Sequence, residues 1–469
     1  MSATSYDFDV AIVGAGSGGF AAARSAVDAG LRTVVVEGGR EVGGLCILRG
    51  CMPTKTLLYS AEIAHLARHA DIFGIQTGEV TVDFGRVMAR KNALIKEFAD
   101  YRKQQLNNAP FKFLRAQARF VDPHTLSLST GESLTSRHFV IATGSIVASP
   151  ALAKLKEVGY LTSDGALVLT RLPKSLIVLG GGAVAVEAAQ MFSRFGVKVT
   201  LIQRSDHILR DFDPDAVLEV EKALRHEDIT LFTGTKLLDA CQEGSMKGVT
   251  FQHAGQSVRV VAEEILFAQG RVPNTGSLGL EQAGVFTENG RILTNTEMQT
   301  TAPHIYAAGD CTGTEEIVHI AIAQGEIAAH NIAHPGKKRS LDLRLLTVVV
   351  FTDPQLAQVG LTEKQAQARQ LACLTASYPF NDHGKSLIME ALCGFVKLLA
   401  DPITGEILGG CVVGPQGGEL IHEIVAAMHK RMTVHELATM PHYHPTLAEI
   451  WTYPAEELAH KISQKRGHT

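Results

Sequence analysis

Cys46 and Cys51, with four residues between them, stand in a stretch that also holds Gly43, Gly44, Gly50, Pro53 and Lys55. Paired thiols can cycle between dithiol and disulfide, so the chemistry they offer is two-electron exchange. Two plainer roles compete: a structural staple, unusual where intracellular thiols are kept reduced, and a pair of inert core cysteines. The glycines favour the redox reading, because they let the backbone approach a ligand closely. Pro53 suits the start of a helix carrying Leu57, Leu58, Ala61, Ala64 and Leu66 on apolar faces. Cysteines at the mouth of that helix meet its positive end, which favours the thiolate.

The elements leading into this pair are those of nucleotide binding. Phe8 to Val13 reads as a short apolar strand, followed by Gly14, Gly16 and Gly19, an alanine-rich helix, and a second strand ending at Glu37. Gly14 permits the tight turn, Gly16 lets a pyrophosphate approach the backbone, and Gly19 lets helix pack on strand, while the helix amino end stabilises phosphate charge. Glu37 stands where a carboxylate accepts from ribose hydroxyls, roughly 20 residues on. An ordinary glycine-rich turn is the bland alternative, but strand, helix and acidic end together make a whole dinucleotide fingerprint.

The pattern returns after Ser175 to Leu179, with Gly180, Gly182 and Ala185 at the three small positions, a helix to Phe195 and a strand from Val197 to Ile202. No carboxylate closes this second strand; Gln203 and Arg204 follow it, with Arg210 beyond. A 2′-phosphate needs cations where a 2′-hydroxyl wants an acceptor, so NADP(H) is the expected nucleotide, with NAD(H) an open alternative. Arg204 and Arg210 as solvated surface charges are the plainer reading.

Composition bounds the rest. A chain of 469 residues, 45% of them hydrophobic, can bury several cores, and its length favours about three domains. Lys and Arg total 44 against 48 Asp and Glu, a formal charge of −4 that gives no polyanion-binding surface and excludes nucleic acid as an expected partner. The amino terminus lacks a basic and apolar leader and no apolar run is long enough to span a bilayer, so no membrane is expected and the location reads as cytoplasmic. Cys241, Cys311, Cys373, Cys393 and Cys411 are scattered and most simply structural. No metal site is expected.

With two nucleotide units and a dithiol in this order, the chain resembles the pyridine-nucleotide disulfide oxidoreductases over essentially its full length. The resemblance takes in Ile141 to Ser145, where such chains cross between domains, Gly270 to Asn274, where they cross back, and Ile305 to Asp310. It implies an α/β fold with two Rossmann-like dinucleotide-binding domains, for FAD and NAD(P), and a C-terminal α+β dimerisation domain. The implied order is FAD domain 1–150, NAD(P) domain 151–274, the second part of the FAD domain 275–345, and an interface domain 346–469. FAD is then the implied cofactor, with Thr143, Gly144 and Asp310 binding it, His319 near its pyrimidine end, and Gly270 at the return crossing. By the same resemblance Cys46 is the interchange thiol that attacks the substrate disulfide and Cys51 the thiol facing the flavin. Lys55 and Glu187 match an ion pair beside the flavin's reactive nitrogen, where a cation stabilises the reduced ring. Taken singly, either is an ordinary surface charge.

Near the carboxy end, His444 and Glu449 resemble the family's catalytic acid/base and the carboxylate orienting it. Reducing a disulfide makes two thiolates, one of which must gain a proton, and imidazole titrates close enough to neutrality to serve in both directions. A carboxylate fixes its tautomer. A loop histidine without a role, or a metal site of His442, His444 and Glu449, are the alternatives. Homodimerisation is implied by the relatives; the apolar face of Glu419 to Met428 fits a core as well as an interface.

The match departs in places. Leu45 precedes the first cysteine and Ile47, Leu48 and Arg49 follow it, where the family has smaller or different residues. Arg49 is either a solvated charge or a cation that tunes the interchange thiol or captures an anionic substrate. Glu326 after Gly325 disfavours the carboxylate-rich glutathione. His444 in place of tyrosine, and a tail from Ser463 to Thr469 without a cysteine pair, disfavour mercuric-ion reduction. The expectation is therefore an FAD enzyme moving two electrons between NAD(P)H and a dithiol or disulfide, such as a lipoyl group, through Cys46 and Cys51, most similar to the dihydrolipoamide dehydrogenases. A mercuric-reductase-like or quinone reductase on the same core is the enzymatic alternative; a lipoyl-complex binding subunit or redox sensor is the alternative of another class.

Overall fold

The computed structural model describes residues 5–313 and 315–467, and the chain divides into two compact units. The first takes the chain up to Leu57, Asp83–Ser149 and Gly270–Asp342; the second takes Leu58–Val82, Pro150–Gln269 and the chain from Leu343 on. Among the described residues no helix is long and apolar enough to cross a membrane.

In the first unit β1 (Phe8–Val13), α1 (Ser17–Asp28) and β2 (Thr33–Glu37) form the first fingerprint, followed by α2 (Gly44–Arg49), α3 (Cys51–Arg68) and α4 (Phe84–Asn107). Strands β3 (Lys112–Arg115), β4 (Ala118–Asp122), β5 (Thr125–Leu128) and β6 (Ser133–Ile141) complete a sheet in the order β3-β2-β1-β6-β5-β4, with Ile305–Ala307 also paired to β6. β1 runs parallel to β2 and β6, with Val13 opposite Val36 and Ile141. Val10, Ala11 and Ile12 are fully buried in succession, as in a strand covered on both faces. The small residues of α1 have a use: it crosses the helix Val318–Ala333 so closely that a Cβ on Gly325 would fall 2.1 Å from Gly18 O.

The second unit holds a five-stranded parallel sheet in the order Thr230–Phe232, Lys198–Ile202, Ser175–Leu179, Glu264–Phe267, Leu161–Thr162, with the helix Ala183–Arg194 after its central strand. It also holds a second five-stranded sheet, Thr347–Val350, Gln355–Gly360, Ile407–Gly414, Phe395–Ala400, Leu374–Pro379. Every pair in that sheet is antiparallel. The short connection from Ala400 to Ile407 is a hairpin link, which only antiparallel neighbours can use. The helix Gly417–His429 buries Leu420, Ile421, Ile424 and Met428 in this unit's core, so its apolar face is accounted for by packing.

Candidate active site

Cys46 lies within the short helix α2, and Cys51 opens the long helix α3, with Gly50 between the two. Cys46 is half-buried and Cys51 exposed. Cys46 keeps its proton far above the ordinary thiol range, first through its hydrogen bond to Cys51, then through burial and the charge of Cys51. The helix end was expected to favour thiolate; for Cys46 the contact with its partner thiol outweighs it. Among the described residues, Arg102 of α4 is a cation that acts the other way on Cys46. Arg49 turns instead to Glu41, both about half exposed. The Arg102 guanidinium lies 4.2 Å from the centre of the Phe20 ring and its Nε donates to Gln105 Oε1 at 3.1 Å. With 56 residues separating it from Cys46 and no motif around it, Arg102 gave no signal in the sequence.

The first glycine turn is tied to its acidic strand end. Ala15 N donates to Glu37 Oε2 at 2.8 Å and Gly39 N to Oε1 at 2.6 Å. Gly14 has φ +105, and a Cβ there would meet Ala142 O at 2.3 Å, whereas Gly16 is open except towards Gly44. Asp310 Oδ2 accepts from Ser145 Oγ at 2.6 Å, and Arg271 Nε donates to the same hydroxyl at 2.8 Å. Three distant segments are thereby gathered next to Thr143 and Gly144. His319 falls inside the first turn of the helix Val318–Ala333 and is exposed.

In the second unit Gly182 caps the helix Ala183–Arg194, Ala185 is fully buried, and Gly180 is held at φ +127. Arg204 and Arg210 are both exposed; Arg210 Nε stands 3.6 Å from Asp211 Oδ1. Gly270, at φ +121 where the chain returns to the first unit, has open space around it. Glu187 is buried and its Oε1 accepts from Phe351 N at 2.9 Å. Lys55 belongs to the first unit and Glu187 to the second.

His444 is 77% exposed in its side chain, with Nδ1 3.0 and 3.2 Å from the two oxygens of Glu449, which is itself buried. That places the proton on Nδ1 and leaves Nε2 free to exchange one. His442 is turned elsewhere, its Nε2 2.7 Å from Glu423 Oε1, so His442, His444 and Glu449 do not converge on a metal. Among the described residues three carboxylates do converge, Asp213, Asp215 and Glu363. The buried Lys397 already supplies their cation, 2.6 Å from Asp215 and 2.9 Å from Glu363.

Residues 8–325 match the family described as pyridine nucleotide-disulphide oxidoreductase, and residues 346–455 match its dimerisation domain. The chain belongs to the pyridine nucleotide-disulphide oxidoreductases. It is 35% identical to a mercuric reductase of Staphylococcus aureus over 90% of its own length and 77% of that protein's. It is 36% identical to a dihydrolipoyl dehydrogenase of Bacillus subtilis (strain 168), over 89% and 90%. The solved HOCl-induced flavoprotein disulfide reductase RclA from Escherichia coli shares its fold at a TM-score of 0.85 and 26% identity, covering 96% of this chain and 99% of that one.

As a pyridine nucleotide-disulphide oxidoreductase the protein is an FAD-dependent enzyme that uses a pyridine nucleotide, and its dimerisation domain supports a homodimer. The first unit fits FAD on its own evidence. Thr143 Oγ1 is buried with no partner among the described residues. The glycine turn also lies bare beside the thiol segment, so close that a Cβ on Gly44 would fall 2.7 Å from Gly16 Cα.

Proposed function

We propose that the protein moves electrons from NADPH to a small or protein-borne disulfide of the lipoyl kind, through a Cys46–Cys51 disulfide and with His444 as acid and base. The observation that carries this is the contact of Cys46 with Cys51 at the start of α3. FAD supplies the two-electron link between nicotinamide and disulfide. Gly14, Gly16, Gly19, Glu37, Thr143, Gly144 and Asp310 are the residues assigned to it, with His319 near its pyrimidine end and Lys55 and Glu187 as the pair beside its reactive nitrogen. Gly180, Gly182, Ala185, Arg204 and Arg210 are assigned to the nucleotide, and Gly270 to the crossing between them. The domain division at 150, 274 and 345 belongs to this reading.

In the reduced enzyme a Cys46 thiol held protonated needs a base before it can attack. His444 Nε2, free while Nδ1 faces Glu449, takes that proton; in this reading the histidine is supplied by the partner chain, as the family resemblance implies. The Cys46 thiolate then attacks one sulfur of the substrate, breaking its disulfide, and His444 returns the proton to the departing thiolate. Attack of the Cys51 thiolate on Cys46 sulfur releases the second substrate thiolate and closes the Cys46–Cys51 disulfide, so two electrons have passed to substrate. The loss of an acidic strand end before Arg204 supports NADPH.

A mercuric-reductase-like or quinone-reducing activity is the second reading, favoured by similarity to the Staphylococcus aureus enzyme. Steady-state turnover with oxidised lipoamide, a quinone and mercuric ion in parallel decides between them. Lipoamide turnover that disappears in Cys46→Ser is the expected result. Turnover of a quinone that survives in both Cys46→Ser and Cys51→Ser, with no lipoamide activity in the wild type, overturns the first reading.

A further inference from the structure

His383 is completely buried, at the entry to the short helix Gly384–Ile388. Its Nδ1 lies 2.8 Å from the hydroxyl of Ser386, which is also fully buried. Its Nε2 lies 3.4 Å from Glu449 Oε1 without making a hydrogen bond to it, and has no hydrogen-bond partner among the described residues. Glu449 is thus held between two imidazoles, His444 towards solvent and His383 towards the core. Phe380 and Tyr453 stand edge-on to His383 with ring centres at 6.5 and 6.3 Å.

The titratable groups facing His383 are Glu449 and His444, with Tyr453 from the C-terminal helix. Burial lowers the proton affinity of His383 and the charge of Glu449 opposes that, with the lowering prevailing. The ring therefore carries one proton. Nε2 faces a carboxylate, which when ionised only accepts, while Nδ1 faces a hydroxyl, which can donate. The consistent arrangement is Ser386 O–H donating to Nδ1, with the ring proton on Nε2, 3.4 Å from Glu449 Oε1.

We propose that His383 is a positioning residue for the acid–base step: its Nε2–H, 3.4 Å from Glu449 Oε1, stabilises the carboxylate by charge–dipole attraction, so that Glu449 orients His444 without binding its proton too tightly. This rests on His444 as the acid and base. Taking away a donor concentrates negative charge on Glu449, which stabilises protonated His444 and raises the pH at which it becomes a base.

The test uses the FAD-loaded enzyme, reduced by two electrons and mixed rapidly with oxidised lipoamide across pH, with flavin reduction by NADPH as the control. The acid limb should move up by about half a unit to one unit in His383→Leu, less in Ser386→Ala, and back towards wild type in His383→Gln, whose amide can donate from a similar place. NADPH-driven flavin reduction should be unchanged throughout. If His383→Leu does not fold, Ser386→Ala and His383→Gln carry the comparison. An acid limb in Ser386→Ala, and in His383→Leu where it folds, that superimposes on wild type overturns the proposal, even where rates fall. His444→Asn separates the two levels: if it keeps the wild-type acid limb, the assignment of His444 itself is wrong and the proposal falls with it.

Discussion

Alanine at Gly182 should impair nucleotide binding while leaving the fold intact, whereas alanine at Gly180 should weaken the fold itself. Gly182 has φ −80 and ψ 178, extended backbone that any residue adopts, and no atom lies within 4 Å of an added Cβ. On folding grounds the substitution is neutral or stabilising by about 0.4–1 kcal/mol, through lower entropy of the unfolded chain. In the proposed reading, however, that open space is where a pyrophosphate meets the helix amino end. A methyl there overpacks the bound state, at a cost of about 1–3 kcal/mol, which is about fivefold to a hundredfold in affinity. At Gly180 the added Cβ would lie 2.3 Å from Ala268 O on backbone at φ +127, so about 1–3 kcal/mol of strain falls on the fold itself, before the clash. Anaerobic stopped-flow reduction of the flavin at varied NADPH gives the affinity, and thermal unfolding with FAD content gives the fold. An unchanged NADPH affinity in Gly182→Ala, or a melting temperature lowered as far as in Gly180→Ala, would refute the placement of the pyrophosphate.

Two-electron reduction should produce a long-wavelength absorbance band that Cys51→Ser abolishes and Cys46→Ser retains without reductant; a band surviving loss of Cys51 reverses the thiol assignment. Arg102 favours the charged form of Cys46, so Arg102→Gln should move the pH profile of Cys46 alkylation in the reduced enzyme upwards, while Arg49→Gln, whose partner is Glu41, should leave it in place. The opposite ranking would return the tuning role to Arg49. Arg204→Ala should lower selectivity for NADPH over NADH by about tenfold to a hundredfold, measured by kcat/KM with each nucleotide, and equal use of both by the wild type defeats the idea. His444→Asn should slow exchange with a disulfide by about a hundredfold to ten-thousandfold yet spare flavin reduction, and a verified heterodimer of Cys46→Ser with His444→Asn subunits should recover roughly half-site activity. No recovery would place the histidine within its own chain.

Local pattern carried much of this protein. Both glycine fingerprints, the strands around them and the thiol pair depend on residues close in sequence, where period, turn chemistry and helix ends leave a readable mark, whereas His444 and Glu449 were reached through the family resemblance. The apolar run in Gly417–His429 was equally legible as a helix, but only packing showed that its face is consumed by the core. What tertiary structure decided were contacts between segments with no shared local pattern. Arg102 reaches the thiols from a helix far along the chain, while nearby Arg49 finds a carboxylate of its own. Asp310, Ser145 and Arg271 meet although more than 120 residues separate each of the first two bonds' ends. His383, on an unremarked loop, becomes a second imidazole beside Glu449. The physical reason is common to all three: a charge or donor acts on whatever lies within a few ångströms, and which distant side chains come that close is fixed by how strands pair and helices cross, not by the residues on either side.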